Sequence, residues 1–243
     1  MRFDESIERM EHRSAGSMRF DALIFDFDGV LIESEYAGNL QIAEYLTSIG
    51  HPTSTEESMA NFMGLAGKDF LSEIERWIGR PLPEDFHIVR EAEDQRALAE
   101  GIEAVAGAVA FIESLPPDLP RAIASSSSME WIETHLDHLG IRHHFDGLIF
   151  SGRQHVTRAK PAPDLYLHAA AALGVPIERT AIIEDSPVGV TGAVASGGFV
   201  IGLAAGNHCF DGHGERLRAL GAHVVAHSFD EVAAVLQGSS RRT

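Results

Sequence analysis

From Gly101 onward, short apolar runs of strand length alternate with helical stretches, and no other feature of the chain narrows its fold as sharply. Arg121–Ala124, Gly147–Ser151, Thr180–Ile183, Phe199–Leu203 and His223–Ala226 read as strands. Glu130–Leu139, Asp164–Leu173, a Gly/Ala-rich stretch after Ser186, Arg216–Leu220 and Phe229–Leu236 read as helices. Runs that are apolar throughout suit strands buried on both faces, and strand–helix–strand units close right-handed into a doubly wound parallel sheet. Phe20–Phe27 supplies a further strand ahead of them and ends in the turn signal Asp26-Phe27-Asp28-Gly29.

Between that first strand and Gly101 the texture changes. Leu40, Ala43, Leu46 and Ile49 recur at helical spacing until Gly50-His51-Pro52 ends the pattern. Further helical stretches cover Lys68–Ile78 and Glu84–Ala99, with no strand-like run of Val, Ile or aromatic residues. The expected organisation is an α/β core from residues 19–34 and 101–238 with an all-helical insert over 35–100. Residues 1–18 read as a charged leader, in which Met18 offers an alternative start, and 239–243 as a tail.

Composition excludes several classes of function. Acids outnumber bases 36 to 19, a formal charge of −17, which opposes non-specific binding to nucleic acid or anionic membrane. The single cysteine, Cys209, excludes an intrachain disulfide and any Cys-cluster metal site. The longest apolar runs, such as Ala104–Phe111, fall well short of the ~20 residues that span a bilayer. A basic-then-apolar N-terminal signal is also missing, so a soluble cytoplasmic protein is expected. Only two of the 19 bases are lysines, Lys68 and Lys160.

A doubly wound sheet binds its ligands beyond the carboxyl ends of its strands. Three of those ends carry polar groups unlike their surroundings, Asp26/Asp28, Ser125 and Glu184/Asp185, and Lys160-Pro161-Ala162-Pro163 lies on a connecting loop. Carboxylates gathered at one edge repel one another unless a cation intervenes, and all-oxygen ligands select a hard ion such as Mg²⁺. The lysine, the serine hydroxyl and the N–H groups of the helix start after Ser125 form an anion site beside it. Together these groups suit phosphoryl transfer through an aspartyl-phosphate. Singly, each has a plainer reading, as turn former, helix cap or solvated charge.

Asp26-Phe27-Asp28-Gly29-Val30-Leu31, Ser125, Lys160-Pro161-Ala162-Pro163-Asp164 and Ile183-Glu184-Asp185-Ser186 resemble, in order and spacing, the four motifs of the haloacid dehalogenase (HAD) superfamily. More narrowly, the chain resembles its β-phosphoglucomutase/phosphatase branch, over roughly Arg19 to Leu236. The resemblance implies a Rossmann-like core with a small helical cap inserted after the first strand. It implies Asp26 as nucleophile and Asp28 as the acid that protonates the leaving oxygen and then activates water. A Mg²⁺ would be held by Asp26, the Asp28 carbonyl and Asp185, with Glu184 ligating directly or through water. Ser125, with Ser126 beside it, and Lys160 would hold the phosphoryl oxygens. The substrate implied is a small phosphorylated metabolite, a sugar or sugar-acid phosphate.

Other readings are weaker. In β-phosphoglucomutases a cap-loop arginine grips a second phosphate and a histidine guides closure, and the matching positions are Gly67 and Gly38. The loop here is Met63-Gly64-Leu65-Ala66-Gly67-Lys68-Asp69, in which Lys68 is the candidate substrate contact. The dehalogenase branch lacks an acid at the position of Asp28. A phospho-acceptor receiver would be about half this length with no insert, and the intact set of polar groups argues against a catalytically dead binding protein. Glu33 reads as a hinge or supporting residue, Asp164 and Ser126–Ser128 as helix caps, and Trp77 and Trp131 as packing. The 13 histidines read as surface or packing residues, and Cys209 has no surroundings that suit a thiol nucleophile.

Overall fold

The computed structural model describes residues 19–238 apart from Gly64, Ala66 and Asp146. The leader and tail expected over 1–18 and 239–243 lie outside the described residues. In chain order the elements are β1 (Ala22–Phe25), α1 (Ser34–Ser48), α2 (Thr55–Phe62), α3 (Gly67–Ile78), α4 (Phe86–Glu100), α5 (Ala108–Ser114), β2 (Arg121–Ser125), α6 (Met129–His138) and β3 (Ile149–Ser151). They continue with α7 (Asp164–Leu173), β4 (Thr180–Glu184), α8 (Pro187–Ser196), β5 (Phe199–Leu203), α9 (His213–Ala219), β6 (Val224–Ala226) and α10 (Phe229–Leu236).

The six strands form one parallel sheet in the order β3-β2-β1-β4-β5-β6. The chain winds outward from β1 through β2 and β3, then returns to the other side of β1 for β4 to β6. That reversal puts the ends of β2, β1 and β4 side by side, at the switch point where such sheets open a crevice.

Strand residues alternate between two apolar layers, as the two-residue period of a strand requires. Leu23, Phe25, Ile123, Ile183 and Ile201 face α5, α6 and α10 through Phe111, Ile132, Leu136, Phe229 and Val232. Ile24, Ala122, Ala124, Ile182 and Val200 face α7, α8 and α9 through Leu165, Ala169, Val190 and Leu217. With both faces covered, the continuous apolar runs are accounted for.

Helices α1–α4 enclose a third apolar cluster of their own, built on Ile42, Leu46, Phe62, Ile74 and Phe86. The chain leaves the core and returns to it at one place, where Ile32 and Ala104 form an isolated bridge. Helix α2 is absent from the sequence reading, although Ser54 and Glu57 form a reciprocal capping box at its start. Helix α5 is likewise additional. Helix α9 begins at His213 rather than Arg216, and Phe20–Phe27 contracts to β1, leaving Asp26 just beyond the strand. Among the described residues no helix is long and apolar enough to cross a membrane.

Candidate active site

Registers at the switch point align Phe25 with both Ile123 and Ile183, so the residues that follow all three strands share one edge. The Asp26 N–H donates to the Ile183 carbonyl at 2.9 Å, fixing the first acid against β4. Asp26, Glu184 and Asp185 are all buried, and carboxylate oxygens of the three lie within 4.8 Å of one another. Burial raises the Asp26 pKa well above the usual carboxylate range, and Glu184 raises it further against the pull of Lys160. Burial and Glu184 do the same to Asp185.

Lys160 donates to Asp26 Oδ1 and to Glu184 Oε1, each at 2.6 Å, with its side chain only 4% exposed. Burial disfavours its charge, but Asp26 and Glu184 reverse that effect and raise its pKa well above normal. One ammonium does not balance three buried carboxylates. Asp185 Oδ1, moreover, is buried with no hydrogen-bond partner. A buried carboxylate oxygen left unpaired is costly, and a hard cation is the group that would satisfy it.

Glu184 has both oxygens engaged. Oε1 accepts from Lys160 and, at 2.6 Å, from the Tyr166 hydroxyl, while Oε2 accepts from the Ser186 N–H at 3.2 Å and its hydroxyl at 3.1 Å. Gly189 is required beside it, because a Cβ there would run into the Glu184 carboxylate. Gly29 is required for two reasons. Its φ of +76° is one that side chains disfavour, and a Cβ would strike the Asp185 carboxylate.

Asp28 sits in a ring of donors. Ser34 Oγ (2.8 Å) and Trp131 Nε1 (3.0 Å) donate to Oδ1, and Ser127 Oγ (2.6 Å) and Ser125 Oγ (3.2 Å) to Oδ2. Ser125 also accepts the Ser127 N–H at 3.0 Å, and Ser128 caps α6 by accepting the Trp131 N–H. Trp131 is thus more than packing. Its position in the first turn after a functional strand end points it back at the sheet edge, a signal present in the sequence. Asp164 does not cap α7 with its side chain and instead pairs with Arg158.

Two histidines support Asp185, His208 from the loop after β5 and His213 from the start of α9, correcting their reading as surface or packing residues. His208 Nε2 donates to Asp185 Oδ2 at 2.8 Å, and His213 Nε2 to the Asp185 carbonyl at 2.7 Å. Glu33 accepts the Asn207 N–H at 2.9 Å, tying the start of the insert to the same loop. Cys209 lies 3.5 Å from His208 Nε2, but burial and the Asp185 charge push its thiol up to about 12, so it is no thiolate at neutral pH. Nothing local in the sequence marks these contacts. The loop folds back under Asp185 only in the tertiary structure.

Above Asp26 lies a cavity of about 510 Å³, large enough for a phosphorylated sugar. The insert contributes Glu35, Asp94 and Gln95 to its wall, and the core contributes Ser126, Arg153 and Lys160. Lys68 is exposed on α3 and is not among the residues lining this cavity. Gly64 and Ala66, in the loop before α3, lie outside the described residues. The structure therefore brings Asp26, Asp28, Ser125, Ser126, Lys160, Glu184 and Asp185 to one edge, and leaves Lys68 apart.

A model of the family described as haloacid dehalogenase-like hydrolase matches residues 23–203. The chain is 27% identical over 192 residues to a 6-phosphogluconate phosphatase of Escherichia coli (strain K12), covering 78% of this chain and 85% of that protein. It is 29% identical over 195 residues to hexitol phosphatase A of the same organism, covering 77% and 85%. Among solved structures, a HAD family hydrolase from Deinococcus radiodurans R1 with bound phosphate and sodium superposes with a TM-score of 0.80. It shares 30% identity, with 92% of this chain and 97% of that one covered.

Proposed function

This chain belongs to the haloacid dehalogenase-like hydrolases, and from that premise we propose that it is a Mg²⁺-dependent phosphatase working through an aspartyl-phosphate. It is a phosphoric monoester hydrolase for small phosphorylated metabolites, as are the relatives named above. The observation that carries the reading is the buried Asp26–Lys160–Glu184 bridge beside an Asp185 oxygen with no partner. Asp26, Asp185 and the Asp28 carbonyl would hold Mg²⁺, and Glu184 would reach it through water because its own oxygens are taken. Bound there, the ion offsets the charge that carboxylate and phosphoryl group bring together.

Each residue then has one task. An oxygen of Asp26 attacks phosphorus while the bond to the leaving oxygen breaks, and Lys160 holds the carboxylate in place and neutralises the incoming phosphoryl oxygens. Ser125 and the N–H groups that follow it, Ser126 included, position those oxygens. Asp28 gives its proton to the leaving oxygen. A water then attacks the phosphorus of the aspartyl-phosphate, Asp28 takes its proton, and Asp26 and orthophosphate are released. The serines around Asp28 can accept as well as donate, so the ring stays satisfied in both protonation states.

The test is turnover of an aryl phosphate. EDTA abolishes it, Mg²⁺ restores it, and Asp26→Asn lowers kcat by several orders of magnitude, on the order of 10⁴-fold or more. Full activity in Asp26→Asn would remove the nucleophile. A sugar phosphate assayed with a trace of its bisphosphate separates hydrolysis from mutase chemistry, because only hydrolysis releases orthophosphate.

A further inference from the structure

The charges lining the cavity are unevenly committed. Four are acids, Asp26, Asp28, Glu35 and Asp94, and two are bases, Lys160 and Arg153. Lys160 already donates to Asp26 and Glu184 at 2.6 Å each, deep in the wall where the phosphoryl group is placed. Arg153 differs from it in every respect. It follows β3, is exposed at the solvent edge, and donates through Nε to the Ser126 carbonyl at 3.0 Å. Its own backbone N–H is held by Ser151 Oγ at 3.2 Å. Among the described residues no carboxylate pairs with its terminal nitrogens, even though Asp94 lines the same cavity.

An arginine anchored through Nε keeps its two terminal N–H groups aligned as a fork, the geometry that grips a carboxylate or phosphate through two parallel hydrogen bonds. A chain of net charge −17 otherwise repels anions, so an uncommitted guanidinium at the cavity edge is a local exception. Ser126 relates the two ends of the cavity. Its carbonyl holds Arg153, and its neighbour Ser125 donates to Asp28.

We propose that Arg153 is an anion subsite that receives a second acidic group of the substrate, so that the preferred substrates are sugar-acid phosphates rather than neutral sugar or polyol phosphates. The proposal rests on the phosphatase reading and narrows it. The phosphoryl group lies at Asp26, and the far end of the molecule presents its carboxylate to the Arg153 fork. Lys68 is not among the residues lining this cavity.

The test uses two six-carbon substrates that differ at one end, 6-phosphogluconate with its carboxylate and glucitol 6-phosphate with a hydroxymethyl group. Wild type favours the acid in kcat/KM. Arg153→Ala raises KM for the acid about tenfold, leaves KM for the polyol within about twofold, and leaves kcat for both, since one charge-assisted contact of binding is lost. Arg153→Lys recovers part of the loss, a charge without a fork. An equal rise on both substrates would mean that Arg153 grips the transferred phosphoryl group or latches to Asp94, and would overturn the proposal. So would a wild type indifferent to the carboxylate. Calorimetric binding of both compounds to Asp26→Asn, with and without Arg153→Ala, reads the same selectivity without turnover. A failure of the phosphatase reading is thereby kept distinct from a failure of the subsite.

Discussion

His208 Nε2 lies 2.8 Å from Asp185 Oδ2, with both side chains closed to solvent, so one oxygen of the acid is committed to the ring while the other has no partner. A carboxylate held in this way cannot rotate to share both oxygens. Supporting partners of this kind typically change metal affinity about 10–100-fold. His208→Ala is therefore expected to weaken Mg²⁺ binding about tenfold or more in a calorimetric titration, with the overall fold retained by circular dichroism. Unaltered affinity would show that Asp185 is oriented without the ring.

Lys160 is a buried cation between two buried acids, and removing it leaves both uncompensated. Lys160→Met should cost about 3–5 kcal/mol in a denaturant titration, as well as activity. The deficit should depend on pH in a definite direction. Burial, with Glu184, already raises the Asp26 pKa, and loss of the ammonium raises it further. A raised pKa favours the folded state below it and costs stability as pH rises through it. The gap between wild type and variant should therefore widen from acid to neutral pH, and a constant gap would contradict this account.

Trp131 donates to Asp28 at 3.0 Å from α6. Trp131→Phe keeps the ring and deletes the donor. If Asp28 exchanges protons with leaving group and water, kcat should fall about 5–50-fold while KM moves little. An unaltered kcat would reduce Trp131 to packing.

Cys209 carries a thiol pushed up to about 12 by burial and the Asp185 charge. Metal-free native protein should resist alkylation through pH 8 to 9, whereas a free thiol titrates near about 8.5. Denatured protein should react at the ordinary rate. Fast alkylation of the native chain would mean that the loop after β5 is open.

Asp26, Ser125 and Glu184/Asp185 were legible because each ends an apolar run abruptly, and the parallel sheet gathers such ends by necessity. Lys160 was legible from its motif between prolines and from the rarity of lysine in this chain. His208, His213, Tyr166 and Arg153 were not. Each reaches the edge from a loop or a helix flank whose approach depends on packing, and a lone histidine or arginine carries no pattern. Helix α2 could have been read from Ser54 and Glu57, since a capping box is a local signal. Its apolar face is short, so periodicity alone does not mark it.

The Ile32–Ala104 bridge pins together the two strands of chain that lead into and out of the helical insert. Whatever is spliced between those points, the carboxyl ends of β1, β2 and β4 stay where the sheet puts them. Changes at Asp94 or Gln95 would therefore reshape the cavity wall without moving the strand ends that carry Asp26, Ser125 and Glu184.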